Sequence, residues 1–282
     1  GEKGIDKVSH SDILSYERIY AITKVLASLG IKKVRLTGGE PLVRKEVAKL
    51  VMMLRSIEGI KEICLTTNAT LLKKAAKDLK AAGLDRLNIS LDSLDPQKYA
   101  YITRGGDLKD ALEGIKEAQK YFDKIKINAV LLKGFNDDEI DDYLKFAKSE
   151  KLYVRFIELM PLGVAKAYRK FLLDPLEVLD KRTDLKKLPD PDGVAELYEL
   201  KDSPITIGAI RALSHSFCSR CNRLRLTADG HIKPCLFAKE EINVSTLDDK
   251  ELYDTLKDII YHKPDNKESV ALTGRLMNEI GG

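Results

Sequence analysis

No stretch of this sequence approaches the roughly 18 consecutive apolar residues that a membrane span requires. Gly1 to Lys7 carry no signal-peptide pattern either, so a cytoplasmic location is expected. There is no low-complexity tract, and no internal repeat beyond a recurring strand-helix rhythm. With 44% apolar residues, 33% charged residues and 9 prolines, the composition argues against disorder. Charge of one sign is scarce: 48 basic and 44 acidic side chains leave a formal net charge of +4. That remainder gives no domain-wide field for a nucleic acid backbone, so an anionic partner has to be met by local basic groups. Cysteine is scarcer still. Four in 282 residues exclude a peptide stapled by disulfides, and the length suits one large α/β domain or a domain with an appendage.

What is present is an alternation of two periods. Ile13, Leu14, Ile19, Ile22, Val25 and Leu26 recur at helical spacing until Gly30 stops them, and Val34-Arg35-Leu36 follows as a buried strand. The pattern then predicts helices over about 44–57, 70–82, 107–121 and 137–150, and strands over about 63–66, 87–91, 125–131 and 154–159. Strands separated by helices imply right-handed βαβ units and a parallel sheet, doubly wound or closed towards a barrel. Because the first element is a helix, a sixth strand ahead of it is expected to be missing from the chain. After Pro161 the rhythm fails among turn formers: Asp174-Pro175, Pro189 to Gly193 and Ser203-Pro204. Two regions are expected, an α/β core over 1–165 and an irregular region over 166–282 that carries three of the cysteines.

Those three lie within 18 residues, as Cys218-Ser219-Arg220-Cys221 and Cys235, while Cys64 stands alone inside an apolar strand and reads as core. In a cytoplasmic chain such clustering favours metal binding or redox chemistry over disulfides. The short loop of the first pair lets two thiolates meet one centre, and the turn Thr227 to Gly230 could bring Cys235 back to it. Spacing leaves two metals open. Zinc would take His215 or His231 as a fourth ligand; a 4Fe-4S cluster held by three thiolates would keep one iron free for a substrate. Between the cysteines, Arg223 and Arg225 alternate with Leu224 and Leu226, so two guanidiniums share one face. Beside a thiolate-bound centre, two forked cations suit a phosphate-bearing ligand.

Arg35-Leu36-Thr37-Gly38-Gly39-Glu40-Pro41 joins a strand to a helix and permits close backbone approach. Thr66-Thr67-Asn68 and Ser90-Leu91-Asp92-Ser93 end the next two strands. Parallel α/β sheets gather ligands at such carboxyl ends, and Lys126 and Glu158 to Met160 are expected at the same rim. Ser93 or Asp92 could instead cap a short helix near Pro96, and Asp137-Asp138-Glu139 reads as an acidic helix start.

Taken in order, Arg35 to Arg44, Ser90 to Asp95, Ile102 to Asp107, Val154 to Glu158 and Phe217 to Phe237 make the chain resemble, nearly end to end, the MoaA family of radical S-adenosylmethionine enzymes. These begin molybdenum cofactor biosynthesis as GTP 3′,8-cyclases. The resemblance implies an incomplete (β/α)6 barrel whose open side is covered by the C-terminal region. It implies two 4Fe-4S clusters and S-adenosylmethionine as cofactors, with Cys218, Cys221 and Cys235 holding the substrate-side cluster. Arg35, Thr66, Lys126, Arg223 and Arg225 match positions that hold GTP. Gly38, Gly39, Glu40, Ser90 and Met160 match the region that meets S-adenosylmethionine. Gly281-Gly282 resembles a terminal diglycine that reaches the active site and, with the two arginines, takes part in catalysis.

One family element has no counterpart: an N-terminal C-x3-C-x2-C triad, whose cluster reduces S-adenosylmethionine. Gly1-Glu2-Lys3 resembles the residues that follow it, so the chain is expected to begin just after the triad and to be inactive without it. The expected partners are GTP, S-adenosylmethionine, an electron donor, a downstream cyclic pyranopterin synthase and a second copy in a homodimer; neither a membrane nor a nucleic acid is expected. Three rival readings are a non-catalytic GTP-binding iron-sulfur protein, a related radical enzyme with another substrate and, more distantly, a zinc-stabilised structural protein.

Overall fold

The computed structural model describes residues 12–161, 168–189, 194–215 and 221–264. Its core is the βα alternation that the two periods predict. In chain order come α1 (Tyr16–Ser28), β1 (Lys33–Leu36), a 3-10 turn (Pro41–Val43), α2 (Val47–Arg55), β2 (Glu62–Thr67), α3 (Leu72–Ala81) and β3 (Arg86–Ser90). After these follow α4 (Pro96–Thr103), α5 (Leu108–Ala118), β4 (Ile125–Leu131), α6 (Ile140–Glu150) and β5 (Tyr153–Glu158). Cap chemistry sets several starts. Asp95 accepts from the N–H groups of Gln97 and Lys98 with Pro96 at the first helical position, and Asp107 accepts from Lys109 N–H.

β1 to β5 pair in sequence order, all parallel. The sheet does not stop there. Beyond α7 (Leu176–Leu179), β6 (Leu185–Leu188) and β7 (Glu196–Leu200), strand β8 (Thr206–Ile210) joins β5 in parallel, giving the order β1-β2-β3-β4-β5-β8-β7-β6. A sixth parallel strand thus comes from the region where the rhythm seemed lost. Its signal, Thr206-Ile207-Gly208-Ala209-Ile210, is too short to separate from the turn formers around it, and its partner is some fifty residues upstream. The change of character near 165 marks the end of the strand-helix alternation, while the sheet itself runs across it.

Period-two burial divides the sheet into two faces. Ile63 and Leu65, Leu87 and Ile89, Ile125, Ile127 and Ala129, and Val154 and Phe156 point to one side and are buried. There they pack with Leu50 and Leu54 of α2, Leu72 and Leu79 of α3, Ala111 and Ile115 of α5 and Tyr143 of α6. The other face is polar and forms the site described below.

A second, smaller core carries the cysteine segment. β9 (Arg225–Leu226), β10 (His231–Lys233) and β11 (Ile242–Asn243) make a short antiparallel sheet, followed by α8 (Asp249–Tyr261). Ile232 and Val244 pack with Leu252, Leu256 and Ile259 of α8 and with Leu14 and Ile22 beside or on α1. Arg18 of α1 donates to the carbonyls of Val244 (2.5 Å) and Leu247 (2.8 Å), and Leu14 N–H to Ala228 O (2.8 Å). This joins the C-terminal segment to α1, a contact of high sequence separation. Among the described residues no helix is long and apolar enough to cross a membrane.

Candidate active site

Strand register lines up the polar face row by row. Arg35, Cys64 and Arg86 are neighbours across β1, β2 and β3. Thr66, Asn88, Lys126 and Tyr153 form the next row, and Ser90, Asn128, Arg155 and Gly208 the third. Lys33 and Glu62 lie at the lower end, with Lys33 2.9 Å from Glu62 and Arg86 paired to the same carboxylate.

This face is concave. On a flat sheet, β1 and β5 would stand roughly 19 Å apart at about 4.8 Å per strand. Yet the charge of Arg35 on β1 lowers the pKa of Arg155 on β5, and Arg223, from the C-terminal segment, acts on both. Arg35 is exposed to solvent, but the surrounding protein strips enough hydration to push its pKa down; both hold because it lines a hollow. Burial and the neighbouring cations lower Arg155 to about 10 and Lys126 to about 8. Burial, then Arg223, lower Arg225 to about 10. The only carboxylate among the inward residues of β1 to β5 is Glu62, against Lys33, Arg35, Arg86, Lys126 and Arg155. The result is a hollow whose cations raise one another's energy, and an anion relieves it.

Arg155 is the best-oriented of them. Its Nε donates to Asn128 Oδ1 at 2.9 Å and a terminal nitrogen to Asn88 Oδ1 at 3.1 Å, which leaves the rest of the fork for a ligand. Asn88 is 1% exposed, and its amide nitrogen has no partner among the described residues. Gly208 makes the space: a Cβ there would lie 2.6 Å from Tyr153 Oη and 2.9 Å from Arg155 Cγ. Tyr153 in turn sits 4.5 Å beneath the Lys126 ammonium, which rests over its ring.

The cysteine segment comes within reach of the sheet's cations, the charge of Arg35 acting on Arg225. Cys221 and Cys235 are free, half-buried thiols, and both act electrostatically on Arg225. Cys235 Sγ also accepts from Phe237 N–H at 3.4 Å. The turn over Thr227 to Gly230 is formed, with Thr227 N–H donating to His231 O at 2.9 Å, and it folds β10 back on β9 as the spacing predicts. Among the described residues no three potential ligands gather, so neither His215 nor His231 completes a zinc set with the two thiols. His231 Nδ1 faces Asp229 instead, at 3.3 Å. Cys218, Gly281 and Gly282 lie outside the described residues.

Several expectations need correction. Lys126 is the second residue of β4 and lies on the floor of the hollow with Thr66 and Asn88, not at the carboxyl rim. Glu158 points to the opposite face: its carboxylate accepts from Leu213 N–H (2.7 Å), Ser214 N–H (2.9 Å) and Ser214 Oγ. Neither Asp92 nor Ser93 caps α4, a task taken by Asp95. Asp92 accepts from Val130 N–H, and burial raises its pKa to about 6. Ser93 is held by Glu139, which is 4% exposed and also receives Leu94 and Asp95 N–H. Glu139 stands at the start of α6, as its acidic run predicts, and is also a buried tie to the loop after β3. Cys64 is buried as expected, but on the polar face, with an Arg86 nitrogen 3.7 Å from its sulfur.

At the carboxyl rim, Gly39 and Ser90 are exposed and Met160 is half-buried. Both oxygens of Glu40 are in use: Oε1 accepts from Leu42 N–H (3.0 Å) and Thr67 Oγ1 (2.7 Å), and Oε2 from Asn68 N–H (2.7 Å). Glu40 thus ties the loops after β1 and β2 together.

Residues 4–147 match the model of the radical SAM superfamily, and residues 152–271 that of Molybdenum Cofactor Synthesis C. The GTP 3′,8-cyclase of Clostridium botulinum strain Hall is 41% identical over 291 residues, covering 99% of this chain and 91% of that protein. The one from Alkaliphilus metalliredigens is 44% identical over 293 residues, with 100% and 91% covered. The chain belongs to the MoaA family.

Solved structures agree on the fold of this MoaA-family chain. Streptococcus suis SuiB bound to precursor peptide SuiA superposes with a TM-score of 0.63 at 16% identity, over 90% of this chain and 59% of that one. The structure of anSMEcpe with bound AdoMet gives 0.62 at 16% identity, over 95% and 76%. Sequence patterning missed Arg86, Asn88, Asn128, Arg155 and Gly208 as lining of the hollow. Arg155 stood within a motif of the MoaA resemblance, and its alternation with Val154 and Phe156 was the available signal. The others needed register.

Proposed function

We infer that this chain is a GTP 3′,8-cyclase, converting GTP to 3′,8-cyclo-7,8-dihydro-GTP at the first step of molybdenum cofactor biosynthesis. The observation that carries the reading for the site is a hollow of mutually repelling cations, Arg35, Lys126, Arg155, Arg223 and Arg225, that opens beside two free thiols. A triphosphate fits the charge.

The thiols suit an iron-sulfur centre. Cys221 and Cys235 are partly accessible, and Arg225 is a guanidinium neighbour of both. Cys218, Cys221 and Cys235 would hold the substrate-side 4Fe-4S cluster. Gly38, Gly39, Ser90 and Met160 would meet S-adenosylmethionine at the carboxyl rim, with Glu40 holding that rim in shape. Reduced by one electron at a separate cluster, S-adenosylmethionine would release methionine and supply a 5′-deoxyadenosyl radical able to take hydrogen from C3′ of GTP. C3′ would then bond to guanine C8, and a second electron from the donor with one proton would complete the 7,8-dihydro product. For that step the chain's residues fix position: Arg155, Lys126 and Arg35 grip phosphates from the sheet, Arg223 and Arg225 from the hairpin, and Thr66 from the floor between them. Gly281-Gly282 would complete the site. A one-electron donor and an enzyme that takes up the cyclic product, a cyclic pyranopterin synthase, are the further partners this reading requires, with a homodimer as the assembly.

In a full-length enzyme that carries the family's N-terminal C-x3-C-x2-C cluster, anaerobic incubation with GTP, S-adenosylmethionine and a reductant should give the cyclic product together with 5′-deoxyadenosine and methionine. Deoxyadenosine without the cyclic product would overturn the substrate assignment. A pH profile gives a second check. Lys126 titrates near pH 8 in the free protein, so above that pH its ammonium is lost and the triphosphate loses a partner. GTP affinity should therefore fall as pH rises through about 8, and Lys126→Arg should shift that fall upward; isothermal titration measures both.

A further inference from the structure

The cysteine hairpin is short. Its paired residues are Leu226 with Ile232 and Arg225 with Lys233. Continued, the register would set Leu224 against Pro234 and then 223 against 235, but the pairing ends at Arg225 and Lys233. Two carbonyls remain at the open mouth, one on each arm: Arg223 O and Pro234 O. Lys263 reaches both, donating at 3.0 Å to Arg223 O and at 2.5 Å to Pro234 O. A lysine suits the place because a compact ammonium carries three donors that can turn to acceptors lying in different directions.

The arms it bridges are those that matter. Cys221 stands two residues before Arg223, and Cys235 directly follows Pro234. Lys263 itself is held two residues beyond α8, whose Leu252, Leu256 and Ile259 pack against Ile232 of the same hairpin. The helix thus grips the hairpin from its apolar side while its following lysine closes the mouth.

We propose that Lys263 is a positioning residue that fixes the separation of the two cysteine-bearing arms and, through the Arg223 carbonyl, the approach of the Arg223 guanidinium to the substrate. It rests on the assignment of Cys221 and Cys235 as cluster ligands. Metal-ligand distances tolerate shifts of only about 0.2 Å, so an arm freed at its mouth is felt at the thiolate. Nothing in the local sequence announces this; His262-Lys263-Pro264 reads as the end of a helix.

Lys263→Met keeps the stem and removes the donors, and Lys263→Arg keeps the charge and donors. In the reconstituted holoenzyme, Lys263→Met should lose iron to a chelator about tenfold faster and bind GTP about tenfold more weakly, with S-adenosylmethionine affinity unchanged. Lys263→Arg should restore both to within about threefold. Wild-type behaviour of Lys263→Met in either readout overturns the proposal. So does a parallel loss of S-adenosylmethionine affinity that Lys263→Arg does not repair, since that would mean a loosened fold. The underlying assignment fails separately, if Cys221→Ser with Cys235→Ser leaves the iron content unaltered.

Discussion

Arg225→Ala is expected to abolish GTP cyclisation. Arg225 is half-buried between the hairpin thiols and the hollow, where desolvation and Arg223 already lower its pKa to about 10. A cation kept in so unfavourable a place interacts strongly with any anion that reaches it, because little water competes. Its loss removes a charge-assisted contact from the phosphates, worth roughly 2–5 kcal/mol or about 30-fold to several thousand-fold in affinity. It also removes the positive neighbour that Cys221 and Cys235 share. Arg223→Ala should likewise stop turnover, since Arg223 lies on the same arm and acts on Arg35, Arg155 and Arg225. Anaerobic turnover and GTP titration, with iron content measured in the same samples, check both substitutions. Unchanged turnover in either variant would remove that residue from the site.

Gly114→Ala is expected to destabilise the protein, against the ordinary preference of a helix interior. Gly114 lies inside α5, where alanine would add about 1 kcal/mol of helix propensity. Here a Cβ would stand 2.0 Å from Ala69 O and 3.0 Å from Ala69 C. The obstacle is backbone and cannot swing aside. Ala69 belongs to the turn after β2, which is held by Thr67 Oγ1 receiving Ala69 N–H (3.1 Å) and by Glu40. Overpacking of this kind costs about 1–3 kcal/mol and should exceed the propensity gain. Urea denaturation should show a lowered midpoint. Because the displaced turn follows Thr66, GTP affinity should weaken in the same variant.

Much of the architecture was legible without coordinates. Strand β4 occupies the predicted 125–131, and the remaining core strands and helices fall close to their predicted places, because each carries one clean period and recognisable ends. The return of β10 on β9 was legible for a similar reason: an alternating Arg-Leu run and a turn of Thr-Ala-Asp-Gly are local patterns. Strand β8 was not legible, since five residues with a central glycine look like a loop until β5 stands beside them.

The sequence by itself determined which residues share a face of each strand, where the elements begin and end, and that Cys221, Arg223, Arg225 and Cys235 fall in one short segment. Only the tertiary structure decided which face turns inward and which residues of different strands meet. Alternation predicts that Arg155 and Glu158 diverge, but not that Arg155 enters the hollow between Asn88 and Asn128 while Glu158 turns away to hold residues 213 and 214. The reason is range. Period and capping are written in neighbours a few residues apart, whereas register and the closing contact of Lys263 with the hairpin join groups tens of residues apart, which meet only once the chain has folded.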